Sequence, residues 1–291
     1  MPIKSILFFL SIGYLFAGCT TSPVNPPPEP TVLKDTTITN ISYGLDPSQK
    51  LDLGLPANRT SATALVVVIH GGGWSSGDKN ELNWLLNGLK QRGFAVANIN
   101  YRITLNQPDN YKMQLDDVDS AVHFVLRQAT AQTFNGQKLY IVGHSAGGHL
   151  SLCYAYSRNT NGKVKAAGSL AGPTDLFSMA YYNYVLYNAL LTPYLGVSLF
   201  PANTTATQRY KDCSPRFQAT SASPPTIFFH GENDPIVFTD QSNSMYATLG
   251  TMNVERKIII YPPFTFHDWW TDATKTTNTM DELKNWFTGH P

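Results

Sequence analysis

Short unbroken apolar runs alternate along this chain with longer stretches in which apolar residues recur at helical spacing. Leu65-Val66-Val67-Val68-Ile69 has no polar position, the pattern of a strand covered on both faces. Further strands are predicted at 94–99, 139–142, 164–170, 226–229 and 256–261, with helices near 80–92 and at 116–130, 146–157, 240–249 and 271–287. Strands that alternate with helices argue for an α/β fold: a mostly parallel central sheet with helices on both faces. Residues 35–55 differ. Thr36 to Ile41 and Leu51-Asp52-Leu53 alternate in polarity, which predicts an antiparallel edge hairpin turning around Asp46-Pro47. The regular alternation also breaks between 175 and 212, a small insertion of one or two helices rich in aromatics. As a cap over a pocket it would offer an apolar or sugar-stacking wall, with Tyr182 and Tyr187 as candidates beside Trp74. Helical spacing requires some of these rings to pack on the sheet instead. Asp116 and Asp117 are read as opening a helix, where carboxylates favour the dipole.

The run Leu139 to Val142 leads directly into Gly143-His144-Ser145-Ala146-Gly147-Gly148-His149-Leu150, and a helix-compatible stretch follows. A serine between glycines at a sharp strand-to-helix turn is a nucleophile elbow, because the turn leaves no room for neighbouring side chains. Its hydroxyl needs a base in reach and a third group to orient that base. In such folds the order along the chain is nucleophile, acid, base. The loop after Thr226 to Phe229 supplies Asp234 as acid, ahead of Glu232 and Asp240. Of seven histidines, only His267 lies after that acid and clear of the chain end, so it is the predicted base. His144 and His149 are expected to pack around the elbow, and Trp269 and Trp270 around the base.

After the strand 65–69 comes His70-Gly71-Gly72-Gly73-Trp74. Consecutive glycines leave backbone N–H groups uncovered, able to meet a developing oxyanion. The donors are assigned to Gly72, Gly73 and Ala146, with Trp74 as a second candidate wall. Neither phosphate-cradling glycine pattern follows this strand, so a nucleotide reading is excluded.

These residues resemble the α/β-hydrolase superfamily, in particular serine esterases with a His-Gly-Gly-Gly-Trp oxyanion motif, of the carboxylesterase and hormone-sensitive-lipase-like kind. Gly77-Asp78-Lys79, Asn100-Tyr101-Arg102, Gly172-Pro173-Thr174-Asp175, Ser214-Pro215 and His230 to Val237 extend the match in order, over about residues 35 to 291. The resemblance implies a carboxylic-ester hydrolase with Ser145, Asp234 and His267 as triad and no cofactor. One departure is Thr265-Phe266-His267-Asp268-Trp269-Trp270, where such loops usually carry a glycine beside the histidine.

A net charge of +1 without a basic cluster argues against nucleic acid as partner. Lys4 followed by the apolar stretch Ile6 to Ala17 reads as a signal peptide over 1–18. Phe16-Ala17-Gly18-Cys19 resembles a bacterial lipoprotein cleavage box, which makes Cys19 the lipidated residue, 19–34 a proline-rich tether and 35–291 the catalytic domain. The expected location is the bacterial cell envelope, with membrane contact only through the lipid. Cys153 and Cys213 are expected as free thiols, and no histidine–carboxylate spacing at i, i+4 suggests a metal site. The substrate class is a small-molecule or polysaccharide ester, short-chain, acetylated or feruloylated. The rival readings are an amide hydrolase of arylformamidase or peptidase type, and a binding module that has lost its chemistry.

Overall fold

A strand made only of apolar residues must be covered twice, and the whole sheet answers that requirement. A computed structural model describes residues 33–103, 110–182, 184–200 and 203–291, the side chains of 181–184 apart. The eight strands are β1 (Thr36–Ser42), β2 (Lys50–Leu55), β3 (Leu65–Ile69), β4 (Ala95–Ile99), β5 (Leu139–His144), β6 (Val164–Leu170), β7 (Thr226–Gly231) and β8 (Arg256–Tyr261). They lie in the order β1-β2-β4-β3-β5-β6-β7-β8. All neighbours from β4 to β8 are parallel, while β2 runs antiparallel to both β1 and β4. The expected hairpin is therefore present, with β1 as the edge.

Successive residues of β3 serve opposite layers. Leu65, Val67 and Ile69 join a core with α2 (Asn110–Gln132), α3 (Ala146–Ser157) and α8 (Asp240–Thr251). Val66 and Val68 join a second core with α1 (Asn83–Gln91) and α9 (Ala273–Gly289). This two-sided burial is why no polar residue interrupts the run.

Between β6 and β7 lie α4 (Leu176–Tyr182), α5 (Tyr184–Leu195), α6 (Thr204–Asp212) and the short α7 (Pro215–Gln218). The insertion 175–212 thus holds three helices, more than the one or two its sequence suggested. Leu176, Tyr187, Leu191, Tyr194 and Tyr210 pack into the same core as α2 and α3. Another expectation needs correcting. Helix α2 begins at Asn110, so Asp116 and Asp117 lie well inside it rather than at its start. Asp117 is buried and takes the Arg102 guanidinium (Nη2 to Oδ1, 2.6 Å) and the Gln49 amide (2.7 Å). A buried carboxylate needs such partners, and they secure the turn after β4 to the helix. Cys153 and Cys213 are both buried thiols. The signal stretch, Cys19 and the tether lie outside the described residues.

Candidate active site

Sterics fix the turn after β5. Ser145 has φ +53° and ψ −123°, a backbone conformation that an L-residue adopts only at a cost. The chain bends so tightly that a Cβ on Gly143 would lie 2.3 Å from the Gly147 carbonyl oxygen. One on Gly147 would lie 2.1 Å from that of Ile69. Both glycines are required by neighbouring backbone. Ala146 then starts α3, where its N–H has no intrahelical acceptor.

The loop after β3 folds back on itself. Gly72 (φ +103°) and Gly73 (φ +57°) take conformations open to glycine, and a Cβ on Gly72 would meet the Ser76 carbonyl oxygen at 2.1 Å. The motif residues beyond it serve as its frame. Tyr101 stacks on His70 with ring centroids 4.4 Å apart, and its hydroxyl donates to the His70 and Gly71 carbonyls at 3.1 and 3.2 Å. Asn100 donates to Asp78 (2.8 Å) and accepts the Lys79 N–H (2.6 Å), while Lys79 pairs with buried Asp52 at 3.0 Å. Burial pushes the His70 imidazole down to about 4.

The loops after β7 and β8 are joined to each other. The Asn233 N–H donates to the Thr265 carbonyl (3.1 Å), and the Phe264 N–H to the Asn233 side chain (2.9 Å). Asp234 Oδ1 accepts the amides of Ile236 and Val237 at 2.8 and 2.9 Å. Its Oδ2 accepts the proton of His267 Nδ1 at 2.6 Å. Burial alone would raise this carboxyl, but hydrogen bonds from His230 and His267 outweigh it and hold Asp234 below the usual carboxylate range. Behind it, His230 Nε2–H donates to the Val237 carbonyl at 2.6 Å, and the Ser242 hydroxyl donates to Nδ1 at 2.7 Å. Glu232 and Asp240 are exposed.

Ser145, His267, Gly72 and Gly73 line one cavity of about 490 Å³, with Glu81, His144, Ile236, Asp268 and Trp270 completing its wall. The parts come from the carboxyl ends of β3, β5, β7 and β8, the edge where open α/β sheets gather ligands. With a hydroxyl, an imidazole held by a carboxylate and a glycine-rich backbone turn on one cavity, the arrangement can carry out nucleophilic acyl transfer.

Two expected walls are elsewhere. Trp74 is 3% exposed; it stacks on Tyr194 (centroids 4.6 Å apart) and donates its indole N–H to His149 Nδ1 at 3.2 Å. Its φ is +61°, and the ring packs into the core instead of lining the cavity of its glycine neighbours. Tyr187 is also buried, and its hydroxyl donates to the Ile236 carbonyl, tying α5 to the loop after β7. The side chain of Tyr182 lies outside the described residues. Trp270 packs as expected, stacked on Trp84 with centroids 5.5 Å apart, and is in addition a cavity wall. His144 also lines the cavity, with its ring centroid 4.6 Å from that of His267. Burial holds the His144 imidazole well below its ordinary range. His149 packs as expected: its Nε2–H donates to the Cys213 carbonyl at 2.7 Å, and burial lowers it to about 4.

A mostly parallel eight-stranded sheet, with a strained serine after β5 and a histidine–carboxylate pair on the loops after β7 and β8, defines an α/β-hydrolase. The chain belongs to the BD-FAE family, whose model matches residues 51–249. Among curated proteins it is similar to the isoprenylcysteine alpha-carbonyl methylesterase ICME of Arabidopsis thaliana, 26% identical over 79% of this chain and 56% of that one. It is also similar to the kynurenine formamidase of Danio rerio, 27% identical over 73% of this chain and 69% of that one. The chain spans about half the length of the methylesterase relatives it matches. Among solved structures, a truncated carbohydrate esterase from gut microbiota superposes with a TM-score of 0.74 at 20% identity, over 88% of this chain and 98% of that one.

Proposed function

We propose that this protein is a carboxylic-ester hydrolase acting through an acyl-enzyme at Ser145. The observation that carries the reading is the shared cavity of Ser145 and His267, with Asp234 2.6 Å from the far nitrogen of that imidazole. His267 Nε2 takes the hydroxyl proton as Ser145 Oγ attacks the ester carbonyl. Asp234, held ionised, keeps Nδ1 protonated and stabilises the imidazolium that forms. The oxyanion is received by the N–H groups of Gly72, Gly73 and Ala146. Each such donor is worth about 100- to 1,000-fold in rate. The alcohol leaves with the proton from His267, and a water activated by the same ring releases the acid.

The substrate is an extracellular ester with a short or aromatic acyl group, acetylated or feruloylated glycans included. The carbohydrate esterase similarity and the indole wall of Trp270 support this class. The leader and Cys19 support lipid anchoring at a bacterial envelope, tested by labelled palmitate incorporation that Cys19→Ala abolishes. Ser145→Ala is expected to lose p-nitrophenyl acetate hydrolysis and fluorophosphonate labelling while keeping its thermal unfolding midpoint. Retained turnover overturns the assignment, and an unlabelled wild-type serine would revive the binding-module reading.

The formamidase similarity favours a second reading, amide hydrolysis by the same residues. N-formylkynurenine assayed beside short acyl esters separates the two: a higher kcat/KM on the formamide would establish the amide reading.

A further inference from the structure

Three ligating side chains meet at the mouth of the cavity, and the hydrolytic steps use only one of them. His144 ends β5, while His267 and Asp268 are consecutive on the base loop. One potential ligand atom from each lies within 4.8 Å of the other two. His144 Nε2 stands 3.5 Å from Asp268 Oδ1, and its ring is buried at 6% exposure. Among the described residues that nitrogen has no hydrogen-bond partner, an unfavourable state for a buried polar atom. Packing explains the ring, which lies edge-on to Trp270 with centroids 4.5 Å apart, but not the orphan nitrogen 3.5 Å from a carboxylate oxygen.

His267 is also prepared as a ligand. Its Nδ1 is engaged by Asp234 at 2.6 Å, which leaves the Nε2 lone pair toward the cavity. A carboxylate behind an imidazole fixes the tautomer and raises ligand basicity, as around bound zinc. The donor set, two imidazoles and one carboxylate with a further position open, suits a tetrahedral borderline cation and excludes the oxygen-seeking calcium and magnesium ions. Tetrahedral coordination at about 2.0–2.2 Å brings donors roughly 3.3 Å apart. Asp268 can close the gap, because its side chain is 59% exposed and free to swing.

We propose that His144, His267 and Asp268 form a reversible inhibitory site for a divalent transition-metal ion of the zinc type. The ion takes the Nε2 lone pair of His267, so Ser145 loses its proton acceptor while the metal stays. The inhibition rests on the reading of His267 as base; the binding does not.

The test is therefore calorimetric as well as kinetic. Zinc chloride is titrated into the untagged, chelator-treated full chain without substrate, and into His144→Phe and Asp268→Asn. One saturable ion per chain is expected, with affinity weakened roughly tenfold or more in each variant. Ester hydrolysis should be inhibited over the same concentrations and restored by EDTA, with each variant compared against its own metal-free rate. Calcium and magnesium should do nothing. Binding that survives both substitutions, or no saturable binding at all, overturns the site. If His144→Phe does not fold, Asp268→Asn decides alone. Saturable binding with unaffected hydrolysis would keep the site and remove the inhibition. An inactive wild type that still binds zinc would separate failure of the hydrolase reading from failure of this one.

Discussion

The two halves of the site are built on different principles. On the β3–β5 side backbone sterics dictate the residues that present Ser145 and the glycine turn. On the β7–β8 side side chains do the work, held by hydrogen bonds between two loops that are exposed at Phe264 (86%) and Phe266 (57%). The first half tolerates almost no change in shape. The second is also confined at Gly231, where a Cβ would meet the Thr265 carbonyl oxygen at 2.4 Å, but beyond that point it depends on the chemistry of single atoms.

The sharpest way to break that contrast is Gly147→Ala. The new Cβ would lie 2.1 Å from one backbone oxygen and 2.4 Å from the next, with nothing flexible to yield. A loss of more than about 3 kcal/mol in urea unfolding, or no soluble protein, is expected. A near-normal midpoint would show that the elbow is not sterically determined. Asp234→Asn probes the other half. The asparagine oxygen can still accept the Ile236 and Val237 amides but loses the stability of the ionised carboxylate, so the thermal midpoint should fall less than in Gly147→Ala. The rate should nevertheless drop by about 10³- to 10⁴-fold, because the imidazole is no longer held in the required tautomer. Equal damage to fold and rate would erase the distinction.

Acid titration separates the halves by pH window. His70 and His149, on the backbone side, are lowered to about 4 in the folded protein. The unfolded chain takes up protons first, near pH ~6.5. Stability from these two rings is complete above that value and is lost as pH falls toward 4, by up to roughly 3 kcal/mol each. Asp234, also depressed, gives stability that is lost only further down, below the ordinary carboxylate range. Urea midpoints should therefore fall between pH 7 and 4 in the wild type, and less in His149→Gln. Indifference to that substitution would contradict the assignment to His149. The smallest effect is expected at Phe264, exposed and held at φ +69°, a conformation that favours glycine. Phe264→Gly should stabilise by about 1 kcal/mol, or roughly 2 °C in the melting point, with little change in turnover.

The same contrast explains what could be read from the sequence. The elbow and the glycine turn after β3 were legible because steric exclusion leaves glycine as the permitted residue, and such constraints are visible in the letters. Asp234 and His267 were legible through order along the strands, since each strand end delivers its loop to the same edge. Trp74 and Tyr187 were misjudged, and the cavity-lining role of Trp270 was missed, because adjacency does not tell which way a ring turns. The positive φ at Trp74 and the tie from Tyr187 to the Ile236 carbonyl are properties of the folded chain alone. The His144–His267–Asp268 cluster was missed for a related reason. Two of its members are 123 residues or more from the third along the chain, and spacing rules search within one helix.

The indole of Trp270 has a practical consequence. It faces the cavity on one side and rests on Trp84 on the other, so whatever enters alters the polarity around an emitting chromophore. The molecule carries its own optical gauge of occupancy. Stopped-flow recording of tryptophan emission could follow acyl transfer and product departure without a dye or a coloured leaving group.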